Sequence, residues 1–350
     1  MARRAGKKEK INTKGKSSVS LAAEQIPSVN SGKSSDGVPY VKLLAFIVVV
    51  LAFLYGPALF KKQTAVFQAP SKFFMVKKVA QFSGNDIQSG PFFANDIVAV
   101  NQHQLAITDN LGAQVILCDF KGKLIHKWGK NGSGAKEFNE PSGITTDHKG
   151  HLFVLDTLNG AIKTFDLEGK PEGSMSLTSF GYFSTPRRLG WDGKNYLITN
   201  AADARLARLS PKGELLGTWG EKGMGKGGLW GASKAIFDGK SRYYIGDSNL
   251  KDSRVRVYDG SGTVVQEIKT GVPSDGLALD SKGRLFVVSY GDTAKVFDPN
   301  GNWLGCLADE DQPNVPLNLL TGIDILSDGT ILTCGANTIT IYRLDDEKEK

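Results

Sequence analysis

Apolar residues recur along most of this chain in short runs that alternate with polar ones and are bounded by glycine turns. HKGHLFVLD (148–156), DGKNYLITN (192–200), DGKSRYYIGD (238–247), SKGRLFVVS (281–289) and SDGTILTC (327–334) share one layout, a Gly turn followed by five or six mostly apolar positions. Period-two patterning of that length predicts half-buried strands rather than helices. A second signature, an aromatic or aliphatic residue leading into a polar Gly turn, recurs as DFKGK (119–123), FDLEGK (165–170), LSPKGE (209–214), YDGSGT (258–263) and FDPNGN (297–302), and Tyr342 ends the series. The two series interleave with a period of about 44 residues, enough for four short strands per period.

Units of four strands repeating every ~40–50 residues are the signature of a β-propeller, where each sheet buries faces against its neighbours that it could not bury alone. Six periods are visible, beginning near Asp96, Gly143, Arg188, Lys234, Gly276 and Gly322. The last holds three strands before the charged end Asp345-Asp346-Glu347-Lys348-Glu349-Lys350. Its missing outer strand is expected from Lys72 to Phe82, which would close the ring and protect an otherwise free sheet edge.

One stretch defies this pattern. Leu43 to Phe60, LLAFIVVVLAFLYGPALF, is 18 residues without a charge, bracketed by Lys42 and by Lys61 and Lys62. At ~1.5 Å per residue it reaches about 27 Å, the depth of a bilayer's hydrocarbon. The run exceeds the ~7–15 apolar residues of a cleaved signal, so an uncleaved signal anchor is expected over residues 41–60. Residues 1–40, rich in Lys, Ser and Gly, read as a disordered basic tail. The expected organisation is therefore tail 1–40, transmembrane helix 41–60, linker 61–71, propeller 72–344 and charged end 345–350. Basic residues of the whole tail favour a cytoplasmic N-terminus and a periplasmic or extracellular propeller; counting only the nearest 20 residues on each side gives the opposite sign.

Charge fits that division. The net +7 of the 350 residues is concentrated in residues 1–62, which hold eleven basic and three acidic side chains, leaving 32 basic and 33 acidic elsewhere. A basic chain invites a nucleic-acid reading, but here the excess lies outside the globular part, so no nucleic-acid partner is expected. Three cysteines, Cys118, Cys306 and Cys334, permit at most one disulfide and read as small buried residues.

Candidate chemistry is sparse. The glycines of GEKGMGKGG (220–228) mimic two phosphate-binding motifs, but the first lacks its strand and helix, and Gly227 stands where the second needs Ser or Thr. They read as blade connectors, like GKNGSGAKEFNEP (129–141). Asp109, Asp156 and Asp247 end strands at the same point of three of the six repeats, and such recurrence suits turn-capping better than catalysis. Phe138, Trp128 and Trp219 read as interblade packing. His103, His126, His148 and His151 all fall in the first two periods, which disfavours a three-His zinc site on the axis. Asn131-Gly132-Ser133 is a glycosylation sequon, relevant only in a eukaryotic secretory pathway.

The segment KEFNEPSGITTDHKGHLFVLDTLNGAIKTFDLEGK (136–170) resembles the NHL repeat, with its Gly-rich loop, Phe, Pro, Gly-Ile, Gly turn, strand ending in Asp and strand ending in Phe-Asp; weaker copies run from about residue 91 to 344. Asn200, Ser289 and Cys334 depart from it where other repeats have Asp. The resemblance implies a six-bladed NHL-type propeller that binds proteins or ligands on its loop face. The expected fold is thus all-β, one transmembrane helix preceding the propeller, and the expected role a non-catalytic membrane-anchored scaffold. Arg187, Arg188, Trp230, Lys234, Lys251 and Asp275 are the expected contacts to a protein or an anionic ligand, with no cofactor. The alternative is a hydrolase or lyase holding calcium or zinc through Asp96, Asp275 and Asp324, as lactonase-like propellers hold metals with oxygen ligands.

Overall fold

The computed structural model describes residues 72–87, 89–178, 185–223, 225, 227–248 and 253–344. All belong to the second of the chain's two units, Gln68–Lys350. The expected tail, membrane span and charged end lie outside the described residues. Among those residues no helix is long and apolar enough to cross a membrane.

The described chain forms six four-stranded antiparallel sheets arranged as blades. Blade 1 comprises Ala94–Ala99, Gln104–Asp109, Gln114–Asp119 and Leu124–Trp128. Blade 2 comprises Pro141–Thr146, Leu152–Asp156, Ala161–Phe165 and Pro171–Ser176; blade 3, Pro186–Trp191, Tyr196–Asn200, Arg205–Leu209 and Leu215–Trp219. Blade 4 comprises Ala232–Phe237, Tyr243–Asp247, Arg254–Tyr258 and Val264–Lys269; blade 5, Gly276–Leu279, Leu285–Val288, Lys295–Phe297 and Trp303–Asp309. Blade 6 takes Gly322–Ile325, Thr330–Gly335 and Thr338–Leu344 from the end of the domain and its outer strand, Phe73–Ser83, from the beginning.

That outer strand pairs antiparallel with Thr338–Leu344 from Val76↔Leu344 to Ser83↔Thr338. It also pairs parallel with the outer strand of blade 5, Phe73↔Cys306 to Val76↔Asp309, so one segment satisfies two sheet edges. Lys78 adds an ion pair to Asp309 at 3.1 Å.

Six hydrophobic clusters lie one at each junction between neighbouring blades. Ile97, Ile107 and Leu332 belong to the 6/1 junction, Val115, Trp128 and Phe165 to 1/2, and Phe153 and Leu189 to 2/3. Leu206 and Tyr243 belong to 3/4, Val257 and Phe297 to 4/5, and Phe286 and Ile331 to 5/6. The second strands are therefore buried on both faces, as in Leu152–Asp156, where every residue is buried. The half-buried pattern expected from alternation belongs instead to outer strands such as Val264–Lys269. A sheet pressed between two others near an axis has no wet face, whereas its outermost strand meets solvent.

Trp128 and Phe138 pack on Phe165 at 5.6 Å, and Trp219 packs on Tyr243 at 4.5 Å, each tying one blade's outer end to the next blade. The glycine-rich connectors wrap around these aromatics. Gly129 has φ 117°, and a Cβ there would meet Ala113 O at 2.7 Å, so only glycine fits. The connector glycines are held by the protein's own polar groups: Lys163 Nζ donates to Gly134 O and Glu137 O, and Tyr258 Oη donates to Gly227 O. Cys118, Cys306 and Cys334 are free and buried.

Candidate functional site on the propeller axis

The innermost strands of the six blades surround the axis, and in blades 1 to 4 each carries a register shift near its start. The shifts fall between Ala94 and Asp96, Pro141 and Gly143, Pro186 and Arg188, and Ala232 and Ala235. A bulge adds a residue and re-aims the side chains beside it. Here it delivers Asp96, Arg187, Arg188 and Lys234 to the axis, three blades supplying the charges.

These charges neutralise one another across the ring. Lys234 Nζ of blade 4 lies 2.6 Å from Asp96 Oδ2 of blade 1 and also donates to Leu189 O at 3.2 Å. Asp96 further accepts from the backbone N–H of Ile144 and Ile97. Arg188 of blade 3 donates from Nη2 to both Asn95 O and Asn95 Oδ1 at 3.1 Å, and from Nη1 to Arg187 O. Arg187 Nη2 meets Asp275 Oδ1 of blade 5 at 3.1 Å, while Asp275 Oδ2 accepts from Tyr290 N. Asp96, Arg188 and Lys234 are 1%, 5% and 7% exposed, so they form a sealed polar plug rather than a charged rim. Burial lowers the Arg188 guanidinium from its ordinary value, with Asp96 opposing that shift.

Two funnels open at the plug. The turn-side funnel, about 480 Å³, is lined by residues of all six innermost strands, including Lys234 and Asp324, and by His148 and Asp192 from the turns. Burial raises the Asp324 carboxyl, opposed by N–H donors from Ala99 and Ile325 and by the charges of Lys234 and His148. The loop-side funnel, about 470 Å³, is lined by Phe93, Asn95, Glu140, Arg187, Arg188 and Asp275, together with Asn110 and Tyr290.

The residues singled out from sequence therefore separate. Arg187, Arg188 and Asp275 meet in the loop-side funnel. Lys234 is buried at the axis and contributes its side chain to the turn-side funnel, away from any exposed mouth. Trp230, 48% exposed, stands on the lead-in to blade 4, and Lys251 lies outside the described residues. Asp96, Asp275 and Asp324 do not converge: Asp96 is engaged by an ammonium, Asp275 by a guanidinium and Asp324 by backbone N–H groups. Among the described residues no cluster of three or more His, Cys, Asp or Glu is placed to hold a metal.

The strand-ending carboxylates act as clasps. Asp109 Oδ1 accepts from Phe93 N at 2.8 Å and Leu111 N at 2.9 Å; Asp156 Oδ1 accepts from Asn139 N at 2.7 Å; Asp247 Oδ1 accepts from Gly231 N at 3.0 Å. Asn200 Oδ1 does the same for Thr185 N in blade 3. Each holds the chain that leads into its own blade, and so shapes the loop-side rim. Phe93, Asn95, Asn110, Glu140 and Tyr290 escaped sequence analysis. Their shared position, beside the clasp or at the start of the innermost strand, was the available signal.

Known proteins agree on the fold. A family model described as a 6-bladed beta-propeller, DUF5128, matches residues 94–208, which cover blades 1 and 2 and reach into the third strand of blade 3. Solved propellers are similar over most of the chain. The WD40 beta propeller domain of Doa1 is 11% identical with a TM-score of 0.54, covering 78% of this chain and 98% of that one. Virginiamycin B lyase from Staphylococcus aureus is 14% identical with a TM-score of 0.53, covering 76% and 99%. A gluconolactonase from Xanthomonas campestris is 14% identical with a TM-score of 0.56, covering 77% and 95%. At such identities the likeness establishes a β-propeller and nothing about chemistry.

Proposed function

We propose that this chain is a membrane-tethered, NHL-type β-propeller that presents its loop-side face as a binding platform on the extracytoplasmic side of a bilayer. The observation that carries this reading is the plug. Of the three carboxylates that a propeller enzyme would turn on a metal, Asp96 and Asp275 are matched here by cations of the same ring and Asp324 by backbone N–H groups. Lys234 Nζ at 2.6 Å from Asp96 stands where a metal ion would have to stand, and Arg187 engages Asp275 in the same way. Calcium or zinc would have to displace a buried ammonium or a guanidinium, so these residues do not fit a resident metal. The uncharged run at 43–60 and the basic tail before it support the tether and its orientation, and the segment at 136–170 supports the NHL type.

The test has two parts. The full chain should remain in the membrane pellet after alkaline carbonate extraction, and protease added to intact cells should cut the propeller while sparing the tail. The detergent-purified chain should contain less than stoichiometric calcium and zinc. Stoichiometric metal lost on Asp275→Ala would replace the platform with the channel hydrolase or lyase.

A further inference from the structure

The turn-side funnel holds about 480 Å³, within the ~300–1,000 Å³ of small-ligand sites. Its walls are largely apolar. Trp191, Ile236, Phe237, Leu279 and Ile325, from blades 3 to 6, line it and keep part of their surface accessible, whereas the second strands behind them are buried. Its floor is polar, because each innermost strand is the edge of its sheet and turns backbone groups without strand partners toward the axis. Side chains answer several of these groups. Asp96 accepts from Ile97 N and Ile144 N, Asp324 accepts from Ala99 N and Ile325 N, and Lys234 donates to Leu189 O.

Two of these side chains line the funnel and have hydrogen-bonding capacity to spare. An ammonium carries three N–H groups, and among the described residues Lys234 Nζ meets two acceptors, Asp96 Oδ2 at 2.6 Å and Leu189 O at 3.2 Å. A carboxylate offers about four lone-pair sites. Asp324 receives one N–H on each oxygen, from Ala99 at 2.7 Å and from Ile325 at 2.9 Å. Asp96 and Asp275 are ion-paired with Lys234 and Arg187, whereas among the described residues Asp324 has no such partner. Burial raises its carboxyl despite the opposing N–H groups and the charges of Lys234 and His148, which marks a carboxylate short of donors.

A donor and an acceptor on one floor select the charge of what enters. An anionic head would gain the free Lys234 hydrogen and face the Asp324 carboxylate. A cationic head would gain Asp324 and face the Lys234 ammonium. An uncharged head that both accepts and donates satisfies the two together and meets no like charge. We propose that the turn-side funnel binds a small uncharged carboxamide with an apolar body. Its carbonyl oxygen accepts from Lys234 Nζ, its N–H donates to Asp324, and its body lies against Trp191, Ile236 and Leu279. This site lies on the opposite side of the plug from the loop-side platform and does not depend on that reading.

The experiment titrates the full chain in lipid nanodiscs at neutral pH with four probes of one shape: benzamide, benzoate, benzylamine and toluene. Saturation-transfer NMR reads binding, with protein-free nanodiscs subtracted. Benzamide should bind at millimolar concentration or below, with benzoate and benzylamine each about tenfold weaker or worse, because each sets a like charge in a poorly solvated floor. Asp324→Asn removes the repelling carboxylate and should bring benzoate up to the affinity of benzamide. Thr145→Trp, which adds bulk at a wall residue of blade 2, should abolish benzamide binding with the melting temperature retained. Benzoate or benzylamine binding the parent chain as tightly as benzamide would overturn the proposal, as would no benzamide binding at millimolar concentration. Toluene binding as tightly as benzamide would reduce the funnel to an apolar hole and overturn it too. If neither variant folds, the selectivity of the parent chain decides.

Discussion

Lys234 Nζ and Asp96 Oδ2 meet at 2.6 Å although they come from blades 1 and 4, which face each other across the ring. Both side chains are buried, so removing either partner strands the other charge in a poorly solvated site. Lys234→Met should cost about 3 kcal/mol of unfolding free energy in urea. Asp96→Leu combined with Lys234→Met should recover most of that loss, because two matched apolar groups replace two desolvated ions. A double variant as unstable as the single one would show that the plug supports the ring by more than charge balance.

Ring closure rests on Phe73–Ser83, the outer strand that blade 6 draws from the other end of the domain. Phe82 is 5% exposed within the blade 6/1 core, and Phe82→Ala should cost about 3–5 kcal/mol. Deleting 73–83 exposes the edges of blades 5 and 6 together and should turn a single cooperative melt into a broad or aggregating one. Calorimetry on the truncated chain checks this; an unchanged transition would mean that the ring closes without its latch.

The clasps predict a graded series. Asp109→Ala leaves the N–H groups of Phe93, Leu111 and Gly112 without their acceptor and should cost about 2–3 kcal/mol. Asp109→Asn keeps one oxygen, as Asn200 does naturally in blade 3, and should cost about 1 kcal/mol. Asp247→Asn should be the more damaging Asn variant, because Asp247 also accepts from Arg256, whose side chain is 1% exposed. Chemical denaturation of the three variants ranks them; equal costs would remove the distinction.

Burial pushes the thiols of Cys118 and Cys334 and the phenols of Tyr258 and Tyr342 up to about 12. Their ordinary values are 9.0 for the thiols and 10.0 for the phenols, so above pH 9 the folded chain holds protons that the unfolded chain releases. Stability contributed by these groups is complete below pH 9 and is lost as pH rises towards 12. Urea midpoints should therefore fall between pH 9 and pH 11 while staying level between pH 7 and pH 8.5 with respect to these four groups. In the same range thiol reagents should label no cysteine at pH 8 in the native chain and all three after unfolding.

Much of the fold was legible because a propeller repeats its local rules. Gly turns, strand lengths and the aromatic before each turn recur with the blade, so the number of sheets and the need for a borrowed outer strand follow from spacing. Alternation along the second strands predicts half-burial because it reports only the nearest faces, whereas their double burial arises from neighbouring blades far along the chain. Asp109, Asp156 and Asp247 were recognisable as structural by recurrence. That they hold the lead-in to their own blade, some sixteen residues upstream, was not.

Sequence by itself determined the repeating β architecture, the uncharged stretch at 43–60 and the near-neutral balance of everything after residue 62, since each depends on residues close together in the chain. Only the tertiary structure decided the character of the axis. Arg187, Arg188 and Lys234 look like a cationic mouth when read in order, yet the bulges that precede them turn two of the three inward, where Asp96 and Asn95 from blade 1 receive them. A side chain's neighbours across a closed ring are set by the angle at which six sheets meet, and no local pattern along one strand encodes that angle.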